Sequence, residues 1–147
     1  MIQMPVGDEI FHLMRRIMQE HGGHWQQLLP QLTKPQFAVL WAVAEHPGIE
    51  QVAVTTAAAI APATLTEMLR RLEQRGLVRR EADPGDQRRR LLFLTDKGKR
   101  LLNNARPKVH QANQMLLNRL SAGDQARLQT LLQQLAMQCD SYDAGRR

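Results

Sequence analysis

The stretch that decides the fold is APATLTEMLRRLEQRGLVRREADPGDQRRRLLFLTDKG, residues 61–98. Its first half carries apolar side chains at positions i, i+3, i+4 and i+7, which are Leu65, Met68, Leu69 and Leu72. This spacing places them on one face of an amphipathic helix. Pro62 suits the first turn of that helix, and Gly76 suits its C-cap. We therefore predict a helix over residues 62–75.

The second half of the stretch has the pattern of a β-hairpin. Two strand-like runs, LVRREA and RRLLFL, flank a turn signal at residues 83–87. Pro84 and Gly85 suit the central positions of a type II turn. Thr95 then caps a long helix that begins at Asp96. The sequence thus predicts a helix, a two-stranded wing and a second helix in succession.

Three helical patterns precede this stretch. Residues 8–29 carry a stripe of apolar side chains that recurs every three or four residues. A second helix starts at a capping box formed by Thr33 and Gln36. Residues 50–60, most of which are small, indicate a short third helix. The connections between the second, third and fourth helices are very short, which is typical of a helix-turn-helix.

The predicted fold class is mainly α with a small β-hairpin wing. A capping signal at Ser121 starts the last helix. A winged helix-turn-helix needs only residues 33–95, so the outer helices, 8–30 and 96–140, exceed that module. Their apolar stripes suit dimerisation about a twofold axis. We predict a single domain, 1–147, that forms a homodimer.

The positive charge of the chain is concentrated in one segment. The 147 residues carry a net charge of +6. From Arg70 to Arg100 there are eleven Lys or Arg and five Asp or Glu residues, so this segment alone accounts for +6. Such a concentration favours an anionic partner such as nucleic acid. The alternative is that these charges form a face that contacts only solvent, which the same composition would also produce.

The cysteine content and the hydropathy of the sequence indicate its cellular compartment. Cys139 is the one cysteine of the sequence, so no internal disulfide can form and a reducing compartment is expected. No apolar run approaches the roughly 20 residues that span a bilayer, and the N-terminus lacks a signal-peptide layout. We expect a cytoplasmic protein without membrane contact. Cys139 lies on an apolar stripe, which favours a buried inert thiol over a redox sensor.

The face of the fourth helix opposite its leucines suits the major groove of double-stranded DNA. At 100° per residue, the candidates on this face or at its sides are Ala63, Thr64, Thr66, Glu67, Arg70 and Arg71. Arg70 can offer a bidentate fork to guanine, and the two threonines can bond phosphates or base edges. Glu67 either accepts a hydrogen bond from cytosine or orients Arg70 or Arg71. An ordinary solvent-facing helix is the alternative.

The arginines of the hairpin suit the minor groove and the phosphates. Arg88 lies nearest the turn, where it can reach a narrow minor groove of strongly negative potential. Asp86, two residues earlier, can hold the guanidinium of Arg88 in place. Arg89 and Arg90 follow on the strand and are candidates for phosphate contacts.

Residues 54–98 resemble the multiple-antibiotic-resistance regulator (MarR) family, most closely in the runs RLEQRGLVRR, DPGDQR and LTDKG. The resemblance implies a homodimeric winged helix-turn-helix transcription regulator. It also implies that the minor-groove arginine of the wing is Arg88, that its supporting acid is Asp86 and that the recognition helix spans 62–75. The third helix departs from the family pattern, because VAVTTAAAI lacks the usual Leu-Ala pair.

Two further runs, HGGHWQQLLPQLTKPQFAVL and HPGIEQVA, look like the branch of this family that represses aromatic-acid catabolism. That branch includes hydroxynicotinate- and hydroxybenzoate-responsive members, which implies a small planar aromatic carboxylate as effector. Its pocket needs apolar or aromatic walls, a donor for a ring hydroxyl and a cation for the carboxylate. The candidates are Arg15, His21, His24, Trp25 and Trp41, with Arg16 and Arg106 as further carboxylate partners. Each histidine also suits a structural role, and Trp41 also suits a plain core position.

The sequence shows no metal, cofactor or catalytic arrangement. Its five histidines do not pair with cysteine or carboxylates in a metal-binding pattern, and no nucleophile–base pair stands out. We therefore predict a DNA-binding repressor, not an enzyme, that binds a pseudo-palindromic operator and is released by an aromatic acid. The alternatives are a winged-helix module that binds RNA or another protein, and an enzyme that processes the aromatic acid.

Overall fold

A computed structural model describes residues 3–137 and confirms the predicted mainly α fold with a small sheet. The helices are α1 (Val6–Leu28), α2 (Lys34–Glu45), α3 (Gln51–Ala57), α4 (Pro62–Gln74), α5 (Asp96–Leu117) and α6 (Ala122–Ala136). The strands are β1 (Ile49–Glu50), β2 (Val78–Asp83) and β3 (Asp86–Leu94). Cys139 and the predicted helix end at residue 140 lie outside the described residues.

The chain forms two compact units. The first, here called the terminal unit, combines Met1–His24 with His110–Arg147. The second, called the central unit, is Trp25–Val109. The central unit exceeds the predicted lobe of residues 33–95, because it also contains the last turn of α1 and α5 as far as Val109. Side chains from both of these segments pack in its core, among them Trp25 and Leu102.

The core of the central unit is built on the leucine stripe of α4. Leu65, Leu69 and Leu72 are fully buried, as their spacing predicts. The other helices contribute Leu40 and Val43 from α2, Val54 from α3 and Leu102 from α5. Leu77, just before β2, and Leu92, in β3, complete this part of the core. Each buried leucine stabilises the unit by about 2 kcal/mol through apolar surface removed from water. The opposite face of α4 is thereby held toward solvent.

Local capping signals are confirmed at two helix starts. The Thr33 hydroxyl accepts the Gln36 backbone N–H at 3.2 Å, and the Gln36 side chain accepts the Thr33 N–H at 3.0 Å, which completes a capping box. The Ser121 hydroxyl accepts the Asp124 N–H at 3.1 Å at the start of α6. Both starts are encoded within four residues, so they could be predicted from sequence alone.

The third helix is shorter than the predicted 50–60, because α3 ends at Ala57. Ala59 has φ +55°, in the left-handed region that favours glycine. The Ile60 N–H donates to the Thr55 carbonyl at 3.0 Å, and the Ala59 N–H donates to the Thr56 carbonyl at 3.3 Å. These two bonds form a Schellman C-cap. The sequence gives no warning of this stop, since alanine stands where glycine usually marks it.

The wing belongs to a three-stranded antiparallel sheet with the order β1-β3-β2. The sequence did not predict β1, which pairs Glu50 with Leu91 and is too short to show an alternating pattern. The predicted type II turn is wrong, because Gly85 lacks the positive φ that this turn requires. The Asp83 side chain instead accepts the Gly85 N–H at 2.8 Å, and this Asx-turn reverses the chain.

The start of α5 is fastened to the connection between α4 and β2. The Thr95 N–H donates to the Leu77 carbonyl at 3.1 Å. The Thr95 hydroxyl donates to the Gly76 carbonyl at 2.5 Å and accepts the Gly98 N–H at 3.0 Å. A Cβ atom on Gly98 would lie 2.1 Å from the Leu77 carbonyl oxygen. This close backbone approach therefore requires glycine at position 98.

The terminal unit exposes many large apolar side chains. On α1 they are Val6, Ile10, Phe11, Leu13, Ile17 and Met18, and on α6 they are Leu128, Leu131, Leu132 and Leu135. Side-chain contacts connect α1 with later residues of this unit: His21 Nε2 is 2.8 Å from Asn113 Oδ1, and Arg119 donates to Glu20 at 2.8 Å. Large contiguous apolar patches are rare on monomeric proteins, so these side chains suit contact with a partner.

Within residues 3–137, no single helix is long and apolar enough to cross a membrane. The helices α3 and α4 reach the required length and composition only when they are taken together, across a bend of 110°. Nor do three or more His, Cys, Asp or Glu side chains come together, in that part of the chain, in a group that could hold a metal ion.

Candidate nucleic-acid interface

The outward face of α4 and its sides include the six site candidates named from sequence. Ala63, Thr64, Thr66, Glu67, Arg70 and Arg71 are all exposed. The N-cap residue is Ala61, which has no side chain to cap the helix, and the Leu65 N–H makes the first bond back to the Ala61 carbonyl. The N–H groups of Ala63 and Thr64 precede this first bond and lie at the N-terminal end of the helix. Backbone N–H groups at such an end attract phosphate.

Glu67 holds both arginines of this face. Its carboxylate accepts two bonds from Arg70, from Nε to Oε2 at 3.1 Å and from Nη2 to Oε1 at 2.5 Å. Arg71 Nε donates to the same Oε1 at 3.3 Å. The hydrogen bond from Arg70 is the main cause that lowers the pKa of Glu67 and, reciprocally, raises the pKa of Arg70. Both shifts favour the charged forms of Glu67 and Arg70.

Thr66 takes part in a network that the sequence did not reveal. Its hydroxyl donates to the Pro62 carbonyl at 3.0 Å and accepts from the Gln51 amide at 3.4 Å. Gln51 in turn accepts from Arg80 at 3.2 Å, and Arg80 forms an ion pair with Glu73 at 2.5 Å. These contacts join α3, α4 and β2, so the wing and the helix-turn-helix are fixed against each other.

Arg88 lies at the tip of the wing with its side chain in solvent. The side chain is 96% exposed, and its Nε lies 3.9 Å from Asp86 Oδ1. Asp86 also accepts the Arg88 backbone N–H at 3.0 Å. The carboxylate thus fixes the backbone at Arg88 and sits within ion-pair distance of its guanidinium. This arrangement leaves the guanidinium donors open to a ligand at the wing tip.

Arg89 and Arg90 are bound differently from Arg88. Arg89 forms an ion pair with Glu50 and a second with Asp83, at 3.2 Å. The hydrogen bond to Glu50 is the main cause that raises the pKa of Arg89. Arg90 donates to the backbone carbonyl of Gln87. The three consecutive arginines are therefore not equivalent, and Arg89 connects β1 to the wing.

The face of α4 and the wing border a common groove. A cavity of about 340 Å³ is lined by α3 and α4 on one side and by Arg88, Arg89 and Arg90 on the other. The groove thus places the arginines of the wing opposite Pro62, Leu65 and Thr66 at the start of α4. The residues predicted from sequence for this site do not include Glu50, Gln51 and Arg80. These three were missed because their roles depend on contacts between distant segments.

The five predicted effector residues are distributed over both units. Arg15, His21 and His24 belong to the terminal unit, and Trp25 and Trp41 belong to the central unit. Trp25 is buried, donates its indole N–H to the Leu32 carbonyl at 2.7 Å and packs edge-on against Phe37. Trp41 is 45% exposed, so it is not a plain core residue.

A separate cavity within the central unit combines an apolar floor with cations. It has a volume of about 320 Å³, and its walls include Leu94, Leu102 and the Phe93 ring. Arg79, Lys99 and Arg106 also line it, and the Arg79 guanidinium stacks over Phe93 at 4.5 Å from the ring centroid. This arrangement meets the general requirements for a small aromatic anion.

The helix-turn-helix, its arginine-bearing face and the two-stranded wing define a winged helix-turn-helix transcription regulator. The chain belongs to the MarR family, whose family model matches residues 32–89. It is similar to the transcriptional regulator HosA of Escherichia coli O111:H-, with 46% identity over 132 residues, which are 90% of this chain and 98% of HosA. The protein is accordingly a transcriptional regulator and not an enzyme.

Solved structures of ligand-responsive regulators have the same fold. The PcaV regulator of Streptomyces coelicolor, in complex with its natural ligand, matches with a TM-score of 0.85 and 34% identity, over 92% of this chain and 97% of PcaV. BpsR of Bordetella bronchiseptica, whose DNA binding is regulated by 6-hydroxynicotinic acid, matches with a TM-score of 0.85 and 30% identity, over 92% and 99% of the two chains. MarR regulators bind DNA and act as dimers.

Proposed function

We propose that this protein is a repressor that binds a pseudo-palindromic operator as a homodimer and leaves it when a small aromatic carboxylate binds. The observation that carries the proposal is the joint presentation of Arg70 on α4 and Arg88 on the wing. The first suits a base edge in the major groove, and the second suits a neighbouring minor groove. A protein that acts in this way on chromosomal DNA works in the cytoplasm.

The dimer in this proposal is formed by the outer helices. The exposed apolar side chains of α1 and α6 are the surface that a second copy would cover, since twofold dimers are the commonest soluble oligomers. Residues 96–140 are proposed to contribute to the dimer, and those of the terminal unit are the part of α5 after Val109 and α6.

A twofold dimer predicts the form of its operator. Two recognition helices would enter successive major grooves about 34 Å apart, on half-sites separated by roughly one helical turn. Selection from a pool of random duplexes should therefore recover an inverted repeat that binds two chains per duplex. Recovery of unrelated sequences, or of a single half-site bound by one chain, would contradict the proposal.

The effector is proposed to be a hydroxylated aromatic acid. Support comes from the resemblance to the aromatic-acid branch and from BpsR, whose DNA binding 6-hydroxynicotinic acid regulates. In a thermal-shift panel of hydroxynicotinates and hydroxybenzoates, we expect one compound to raise the melting temperature. At 100 times its Kd, a ligand stabilises the native state by about 2.7 kcal/mol. The same compound should weaken operator binding by on the order of tenfold; a stabilising compound that leaves DNA affinity unchanged would argue against release.

Three arginines are candidate partners for the carboxylate of this effector, Arg15, Arg16 and Arg106, and two of them can be compared directly. Arg15 belongs to the predicted set, and Arg106 lines the cavity of the central unit. Arg15→Ala and Arg106→Ala therefore form a matched pair of charge-removing variants on exposed helical positions. Loss of the thermal shift in one variant and its retention in the other locates the carboxylate, whereas retention in both would exclude the two arginines.

A further inference from the structure

We propose that Glu67 fixes the guanidinium of Arg70 for bidentate recognition of a guanine in the major groove, without contacting a base itself. Glu67 would then be a positioning residue that determines specificity. This inference rests on the proposed binding of operator DNA and deepens it. The sequence leaves two roles open for Glu67, and the arrangement of hydrogen bonds favours one of them.

The carboxylate occupies one edge of the Arg70 guanidinium. Glu67 accepts from Nε at 3.1 Å and from Nη2 at 2.5 Å, so the two groups meet in a parallel fork. A guanidinium has five N–H donors in fixed directions. Its second edge, formed by Nη1 and the remaining N–H of Nη2, is not used by this fork. That edge has the geometry that pairs with the O6 and N7 atoms of guanine.

The oxygens of Glu67 are already engaged by arginine. Oε1 accepts from Arg70 and from Arg71, and Oε2 accepts from Arg70. A direct bond from cytosine would compete with these charge-assisted bonds, which are stronger than neutral ones. Arg71 uses only its Nε in this cluster, so both of its Nη nitrogens are left for phosphate.

The fork should increase specificity in two ways. Arg70 and Glu67 are each about half-exposed, at 53% and 50%, and a long exposed side chain loses rotamer freedom when it binds. Orientation of Arg70 before DNA arrives reduces that cost for the correct base. The negative charge of Glu67 also opposes general attraction to phosphates. Glu67 should therefore increase the ratio of the affinity for the operator to the affinity for unrelated DNA.

The test compares Glu67→Gln, Arg70→Ala and the double variant with the wild-type protein. Each is titrated at one salt concentration with the selected operator, with the operator changed at a single half-site guanine, and with a scrambled duplex. For Glu67→Gln we expect tighter binding of the scrambled duplex and a loss of operator-to-scrambled preference on the order of tenfold. Arg70→Ala should lose the preference for guanine, and Glu67→Gln should add no further loss in that background.

Several outcomes would overturn the inference. If Glu67→Gln kept the wild-type preference, Glu67 would not position the reading group. If Glu67→Gln removed a cytosine preference in the Arg70→Ala background, Glu67 would read that base directly. A wild-type protein without any sequence preference would instead refute the proposed operator binding, so the two failures are distinguishable. Thermal melts of each variant exclude misfolding, since Glu67 and Arg70 lie outside the core.

Discussion

Replacing Arg88 with alanine is expected to weaken operator binding by on the order of 30-fold at fixed salt. A twofold dimer loses two wing arginines at once, and each stands at a tip where its side chain is 96% exposed. The narrow minor groove has a strongly negative potential that attracts a guanidinium. A guanidinium is also more weakly hydrated than the ammonium group of lysine, so it loses less hydration on entering the groove. Arg88→Lys should therefore recover only part of the loss. Fluorescence anisotropy with labelled operator measures both effects.

The neighbouring arginines provide the controls for Arg88. Arg90 donates to the backbone carbonyl of Gln87, so Arg90→Ala should weaken binding only slightly. Arg89 is held by Glu50 and Asp83, so Arg89→Ala should act through the position of the wing and also lower stability. Equal losses for alanine at positions 88 and 90, or no loss at position 88, would show that the wing tip does not enter the minor groove.

Replacing Gly98 with alanine is expected to destabilise the central unit by about 3 kcal/mol, although alanine normally favours a helix. The new Cβ would lie 2.1 Å from the Leu77 carbonyl oxygen, and that backbone atom cannot rotate away as a side chain would. Its displacement would break the bond that the Leu77 carbonyl accepts from the Thr95 N–H. Urea denaturation followed by circular dichroism gives the change in the free energy of unfolding.

Gly123→Ala is the matched control for this prediction. Gly123 also lies near the start of a helix, but a Cβ there meets nothing closer than the Ser121 hydroxyl at 4.0 Å. This variant should be as stable as the wild-type protein or slightly more stable, because alanine favours the helix. If Gly98→Ala were equally harmless, the close approach of α5 to Leu77 would not be essential to the fold.

The features predicted correctly are those encoded within a few consecutive residues. The capping box at Thr33, the buried leucine stripe of α4 and the exposure of its opposite face each follow from spacing within one helix. The strand-like runs on both sides of the turn signal at residues 83–87 likewise located the hairpin. Local rules suffice for these features, because each depends on residues close together in the sequence.

The features missed depend on contacts between distant segments. Strand β1 has two residues and exists because β3 supplies its partner. The ion pair between Glu50 and Arg89 joins residues 39 positions apart, so no local pattern reveals it. The early stop of α3 places Ala59 in a backbone conformation that glycine usually adopts. The two roles of Glu67 could be weighed only after its distances to Arg70 and Arg71 were known.

The central claim is that this regulator reads an operator sequence instead of attracting nucleic acid by charge alone. The most direct measurement is the affinity for the selected operator, a scrambled duplex and an RNA hairpin between about 50 and 200 mM salt. We predict that all three affinities fall as salt rises, while the operator remains at least about 1,000-fold preferred over the scrambled duplex. Convergence of the three affinities at the higher salt, or equal binding of RNA, would contradict this account.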